Sequence, residues 1–270
     1  MPKTRSQQVI IITGASAGIG KALAYRLAPQ SPKLVLVARD RARLEEVAET
    51  CERLGATTLV LPTDVADPQA CADMVQCVIS KFSRIDVLVN NAGMSMWSTV
   101  EDVQDVTRLQ RIMEVNFLGS VYCTKFALLY LRLTQGRIVA ISSVASLTGV
   151  PAHAVYCASK HAMNGFFESL RIELEGTGVS VTIVAPDFVQ SEIHARSLGA
   201  DGKPLGRLLQ DHGSFLSAEA CAKIIIRAMD GRKRFVVTSV RGKVGRWVKL
   251  CFPQVIDWMA KRGVAEAYRL

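Results

Sequence analysis

Six apolar runs set the rhythm of this chain. Val9-Ile10-Ile11-Ile12-Thr13 is continuous and rich in β-branched residues, the pattern of a strand covered on both faces. Runs at 33–39, 57–61, 86–90, 136–143 and 179–185 repeat it. Between them the spacing changes to the three-and-four pattern of helices, predicted over 21–28, 41–54, 68–82, 102–114, 117–133 and 154–176. Strands alternating with helices imply βαβ units. The expected fold class is therefore α/β: a single doubly wound parallel sheet with helices on both faces.

Two features of this framework point to chemistry. The first strand runs into Gly14-Ala15-Ser16-Ala17-Gly18-Ile19-Gly20 and then a helix. Glycines there let the backbone approach a ligand and aim helix N-terminal N–H groups at a phosphate. In the last predicted helix, Tyr156 and Lys160 are four residues apart and share one face. An ammonium beside a phenol favours phenolate, which predicts a tyrosine pKa below its usual value near ~10. Such a phenol exchanges a proton near neutral pH. The spacing alone also fits an ordinary surface pair.

Composition narrows the classes. The 270 residues are 49% hydrophobic and 21% charged, as expected for one large domain with a substantial core. Seven cysteines without a C-x-x-C pair, and four histidines apart from them, predict free thiols and no metal site. No run reaches ~18 uncharged apolar residues. The N-terminal apolar run is too short for a signal-peptide core, so a cytoplasmic protein is expected. Of the net charge of +9, residues 231–270 hold ten Lys and Arg against two acids, or +8. The basicity belongs to the tail, and no nucleic-acid motif or partner is indicated.

The ordered set Thr13 to Gly20, Asn90-Asn91-Ala92-Gly93, Ser142-Ser143 and Tyr156-x-x-x-Lys160 resembles the short-chain dehydrogenase/reductase family over roughly residues 8–240. Met113 to Leu118 and Gly165 to Arg171 look like its hydroxysteroid dehydrogenase branch. The resemblance implies a Rossmann fold, with residues 1–240 as the cofactor-binding and catalytic domain and 190–215 as a substrate lid. Tyr156 would be the general acid/base, and Lys160 would tune it and hold the nicotinamide ribose, both also touching the cofactor. Ser143 would bond the substrate oxygen, with Ser142 the competing serine. Asn116 would support Lys160 through a water. Gly14, Ser16, Gly18, Ile19 and Gly20 would cradle the pyrophosphate. Asp64 and Val65 would contact adenine, although Asp64 also reads as a turn or cap residue. Asn90, Ala92 and Gly93 would line the cofactor channel. Arg39 follows Ala38, where NAD-binding relatives place an acid, so NADP(H) is the expected cofactor; an exposed strand-end charge is the plain alternative. Ala17 stands where some NADP-preferring members carry a basic residue, which leaves Arg39 as the main phosphate partner. Ser191 takes the place of a threonine that contacts the nicotinamide, and Asp187 replaces a glycine. A homodimer or homotetramer is implied as well.

Phe188, Ile193, Leu198, Leu205 and Leu208, facing Met94, Met96 and Trp97, suggest a hydrophobic carbonyl or alcohol substrate. The tail, 241–270, mixes Trp247 and Trp258 with Lys and Arg, and Pro253 should break it. It suits peripheral contact with anionic membrane; docking onto the core or a subunit is equally compatible. The expected activity is NADP(H)-dependent interconversion of a ketone and its secondary alcohol, acting on a lipid- or steroid-like compound. An NAD(H) enzyme with a polar substrate and a non-catalytic dinucleotide-binding scaffold are the alternatives.

Overall fold

The computed structural model describes residues 5–190, 196–206 and 215–268, with side chains to Arg262. The six runs form β1 (Val9–Thr13), β2 (Lys33–Ala38), β3 (Thr57–Pro62), β4 (Val87–Asn90), β5 (Arg137–Ile141) and β6 (Ser180–Ala185). Two short strands, β7 (Val189–Gln190) and β8 (Leu216–Ser217), pair with each other, and β9 (Phe235–Val237) completes the main sheet. Its order is β3-β2-β1-β4-β5-β6-β9, and every pairing is parallel.

Alternate residues of β1 explain the double covering. Ile10 and Ile12 face α1 (Gly18–Leu27), α2 (Arg41–Arg53) and, from later in the chain, the helix Ala218–Asp230. Val9 and Ile11 face α3 (Pro68–Phe82) and, on the same side, the helices Gly119–Leu133 and Ala154–Glu173. All four side chains are fully buried, each worth roughly 1.5–3 kcal/mol of transfer free energy. The remaining helices, in chain order, are α4 (Thr107–Met113), α5 (Gly119–Leu133), α6 (Ala154–Glu173), α7 (Ala218–Asp230), α8 (Val240–Cys251) and α9 (Pro253–Tyr268).

Three boundaries differ from the sequence reading. Asp105 accepts from the Thr107 backbone N–H (2.9 Å), so α4 starts at 107 and not 102. A π turn at Glu114–Leu118, closed by Gly119 N–H on Glu114 O, joins α4 to α5. The resulting helix, Thr107–Leu133, is long and apolar enough by composition to cross a membrane. Here Cys123, Ala127 and Leu131 are buried against the sheet, as in a core helix. Third, α7 and β9 extend the fold where no elements were predicted. Pro253 does break the tail, as the first residue of α9.

Candidate active site

Strand order reverses between β1, which continues to β2 and β3, and β4, which continues to β5 and β6. Parallel sheets leave a crevice at the C-terminal ends of the strands where this happens. The glycine turn after β1 and the Asn-Asn-Ala-Gly stretch after β4 meet there. Thr13 Oγ1 accepts from the N–H groups of Asn91 (2.9 Å) and Ala92 (3.0 Å), and Asn91 Nδ2 donates to Thr13 O and Gly14 O (2.8 and 3.2 Å). Gly14 has φ +67°, and a Cβ there would lie 2.9 Å from the Ala92 Cα. A Cβ on Gly20 would lie 2.2 Å from Gly14 O. The turn is thus pressed against the start of α1.

That helix start suits an anion. The N-caps of α2, α3, α7 and α8 are Asp40, Asp67, Ser217 and Ser239, each accepting a backbone N–H through its side chain. The N-cap of α1 is Ala17, which has no side-chain acceptor to offer, and its first turn carries no acid. The N–H groups of Gly18, Ile19 and Gly20 are left for an outside acceptor, as a pyrophosphate would be. Ser16, Gly18 and Ile19 are half-buried at this edge. A nicotinamide dinucleotide fits these residues.

Further along the crevice, β5 leads into Ser142 and Ser143, and α6 brings Tyr156 and Lys160. The two serines part company. Ser142 is buried and donates to Asn164 Oδ1 of α6 (2.7 Å), while Asn164 Nδ2 donates to Ser146 Oγ (2.8 Å). Ser143 is half-buried, accepts from the Ala145 N–H (3.1 Å) and lies in hydrogen-bonding reach of Tyr156. Lys160 is 3% exposed; its Nζ donates to Ile141 O (2.9 Å) and sits 5.9 Å from the Tyr156 ring centre.

The predicted lowering of the tyrosine pKa is not found. Burial pushes the phenol up to about 12, outweighing the Ser143 hydrogen bond that lowers it, and a contribution from Cys157 raises it further. Burial also brings Lys160 down to about 8. Helical spacing brings the two onto one face but says nothing of depth; Lys160 is buried and Tyr156 half-buried, and the loss of water around each disfavours its charged form. Tyr156 is consequently a protonated acid at neutral pH.

Asn116 lies inside the π turn and is fully buried. Its Nδ2 donates to Met94 O and Ser159 Oγ (both 2.9 Å), and its Oδ1 accepts from the Met94 N–H (2.8 Å). It fixes the loop after Gly93, whose own Cβ position would be 3.8 Å from Lys160 Nζ.

Of the other predicted cofactor residues, Asn90 is 1% exposed and its Nδ2 donates to Thr124 of α5 (2.9 Å), so its side chain does not reach the channel. Ala92 is half-buried and Gly93 exposed. Asp64 accepts from the Ala66 N–H (3.1 Å) and pairs with Arg111 of α4. Burial raises its carboxyl, but Ala66, Arg111 and Arg39 hold it below the usual range. The Val65 side chain is 5% exposed, packed on Gly119, so only its backbone is left to a ligand. Arg39 is exposed at the end of β2. Ser191, Ile193 and Leu208 lie outside the described residues.

Of the residues predicted to line the substrate, Leu198 and Met96 form a bridge, with Trp97 N–H donating to Leu198 O (2.8 Å). Phe188 stacks on Phe215 at 5.3 Å. His153, not singled out by sequence, stacks on Trp97 at 3.7 Å and tilts against Tyr156 at 4.8 Å. Its Nδ1 contacts Met96 O at 2.5 Å, which fixes the ring.

Asp187 is held by α8. Its carboxylate accepts from Arg241 Nε and Nη2 (2.6 and 2.8 Å) and from Ser239 Oγ (2.5 Å). Burial raises its pKa, but these donors lower it by more. With the folded value below the unfolded ~3.9, the stabilisation is complete above that pH and is lost as pH falls through the folded value. Asp187→Asn should therefore cost about 1–2 kcal/mol at neutral pH, given the exposure of Arg241. In denaturation curves the gap between variant and wild type should close under acid.

Known proteins resemble this chain in sequence and in fold. A family model described as short chain dehydrogenase matches residues 8–200. The chain is 41% identical over 258 residues to "11-beta-hydroxysteroid dehydrogenase 1A" of Arabidopsis thaliana, covering 93% of this chain and 74% of that one. It is 38% identical to "11-beta-hydroxysteroid dehydrogenase-like 4A" of the same plant, covering 94% and 84%. Among solved structures, an alcohol dehydrogenase from the archaeon Thermococcus sibiricus, complexed with 5-hydroxy-NADP, superposes with TM-score 0.73 at 26% identity, covering 85% of this chain and 94% of that one. A short chain dehydrogenase/reductase from Burkholderia phymatum in complex with NAD has the same fold, with TM-score 0.82 at 22% identity and coverage of 93% and 96%.

Proposed function

The chain belongs to the short-chain dehydrogenase family and to its hydroxysteroid dehydrogenase-like branch, and from that premise we propose that it interconverts a hydrophobic ketone and its secondary alcohol using NADP(H). The observation that supports this most is the meeting of Ser143, Tyr156 and Lys160 beside a glycine turn whose helix start has no side-chain cap.

A bound nicotinamide dinucleotide supplies or accepts the hydride. The chain's residues hold the reactants and move the proton. Gly14, Ser16 and the first-turn N–H groups of α1 hold the pyrophosphate, and Lys160 takes the ribose at the nicotinamide end. Ser143 donates to the substrate oxygen as negative charge grows on it. In reduction, Tyr156 gives its phenolic proton to that oxygen; in oxidation, its phenolate takes the proton back.

For the cofactor, the two solved structures carry one ligand of each kind, so the preference for NADP(H) rests on Arg39. It is exposed at the end of β2, beside Ala38 where an acid would repel a 2′-phosphate. For the substrate, the names of the curated relatives and the Leu198, Phe188 and Phe215 surfaces favour an apolar compound. The test is to follow NADPH and NADH absorbance with a panel of steroid and long-chain keto compounds. NADPH oxidation dependent on one hydrophobic class is expected; a preference for NADH would overturn the role of Arg39. Arg39→Ala should weaken NADPH selectively, by about tenfold to a hundredfold in KM, the worth of a charge-assisted hydrogen bond. NADH kinetics should be nearly unchanged.

A further inference from the structure

Eight of the fourteen exposed large apolar side chains among the described residues fall within 240–259. On α8, Val244, Trp247 and Leu250 are 55%, 68% and 72% exposed; Phe252 follows at the break, and Trp258 and Met259 are 56% and 54% exposed on α9. The two helices bury Ile256 between them against Gly245 and turn the rest of this surface outward. Residues 240–262 hold six Lys and Arg against the single acid Asp257; Arg241 is paired with Asp187, Lys249 bonds Leu147 O and Arg246 lies over Phe235, which leaves Lys243, Lys261 and Arg262 to the outward surface. Arg262 lies 4.3 Å over the Trp258 ring.

We infer that α8 and α9 form a docking surface for an anionic lipid bilayer, set at the mouth of the active site. Exposed indoles flanked by cations suit the interfacial layer, where rings sit among headgroups and ammonium or guanidinium groups meet negative charge. A second copy of the same surface is a poorer occupant, because it would set these cations against one another. The placement follows from contacts. Arg241 and Ser239 grip Asp187, Lys249 Nζ donates to Leu147 O (2.8 Å), and a Cβ on Gly242 would lie 3.0 Å from Val144. The helices therefore rest on both the loop that follows Ser143 and the segment after β6. Docking rests on the surface alone; delivery of a hydrophobic substrate from the bilayer rests on the function proposed above.

The experiment is co-sedimentation of the full chain with phosphatidylcholine vesicles, with or without phosphatidylglycerol, alongside tryptophan emission. Trp97 is 8% exposed, so a blue shift on binding reports Trp247 and Trp258. Anionic vesicles should be preferred on the order of tenfold or more, with binding falling as salt rises. Trp247→Ala combined with Trp258→Ala should reduce partitioning on the order of tenfold while leaving the circular dichroism and thermal midpoint unchanged. Equal binding to neutral vesicles, no binding at all, or full binding by the double variant would overturn the inference. Vesicle indifference with a smaller mass for the variant in light scattering would assign the surface to a second copy instead. Vesicle binding without turnover of any ketone would sink the proposed activity and leave the docking standing.

Discussion

Tyr156→Phe should lower turnover in both directions by about 10²–10⁴-fold, the usual contribution of a positioned proton donor or acceptor. Dinucleotide binding, followed by fluorescence titration, should persist, because Lys160 is held by Ile141 O and the glycine turn by Asn91, neither through the phenol. Loss of binding along with turnover would mean that the phenol acts chiefly as a contact. The wild-type pH profile separates the directions. With the phenol raised to about 12 by burial, the protonated acid needed for reduction is present throughout the neutral range. Oxidation needs the phenolate, so its rate should climb with pH on the alkaline side. A reduction rate that fell between pH 6 and pH 8 would contradict this protonation state.

Gly20→Ala should weaken dinucleotide binding and lower stability. The added methyl would stand 2.2 Å from Gly14 O and 2.7 Å from Asn91 Nδ2, and the nearer atom is backbone. Relief requires α1 to move away from the glycine turn, which spreads the N–H groups meant for one pyrophosphate. Overpacking of this kind costs about 1–3 kcal/mol or more, several degrees in Tm for a domain of this size. Cofactor affinity should fall beyond tenfold. Gly165→Ala is the internal control, since a Cβ there meets nothing within 4 Å and alanine favours the helix. Equal losses in the two variants would refute the steric argument.

The core of the fold was legible because a strand buried on both faces leaves a continuous apolar run, as Val9 to Ile12 and Leu34 to Val37 do. β9 has only Phe235, Val236 and Val237, fewer residues than such a run needs to stand out. α7 carried a readable signal in the spacing of Cys221, Ala222, Ile225, Ile226 and Met229, beyond the last strand that the sequence reading placed. Within the site, motif spacing brought Tyr156, Lys160 and Ser143 forward. Asn91 stood inside a motif without a role of its own, and Asn164, Arg111 and His153 stood in none; their partners are 78, 22, 47 and 57 residues away. A side chain defined by a distant partner has no local pattern. The phenol's pKa was misjudged for a related reason: spacing gives neighbours along a helix, whereas depth belongs to the whole fold.

The π turn at Glu114–Leu118 also keeps a phase. A π turn holds one residue more than the α turn it replaces, and each residue of an α-helix advances the face by about 100°. The extra residue is taken up within the turn, at Asn116, while Ile112 before it and Cys123, Ala127 and Leu131 after it are all buried along one continuous rod. Removing a single residue from this turn would close it to a regular α turn and leave the two halves in their present phase. Asn116 would swing off the Met94 backbone in the same motion. The hold on the Met94 backbone thus hangs on one inserted residue that the packing of the longest helix does without.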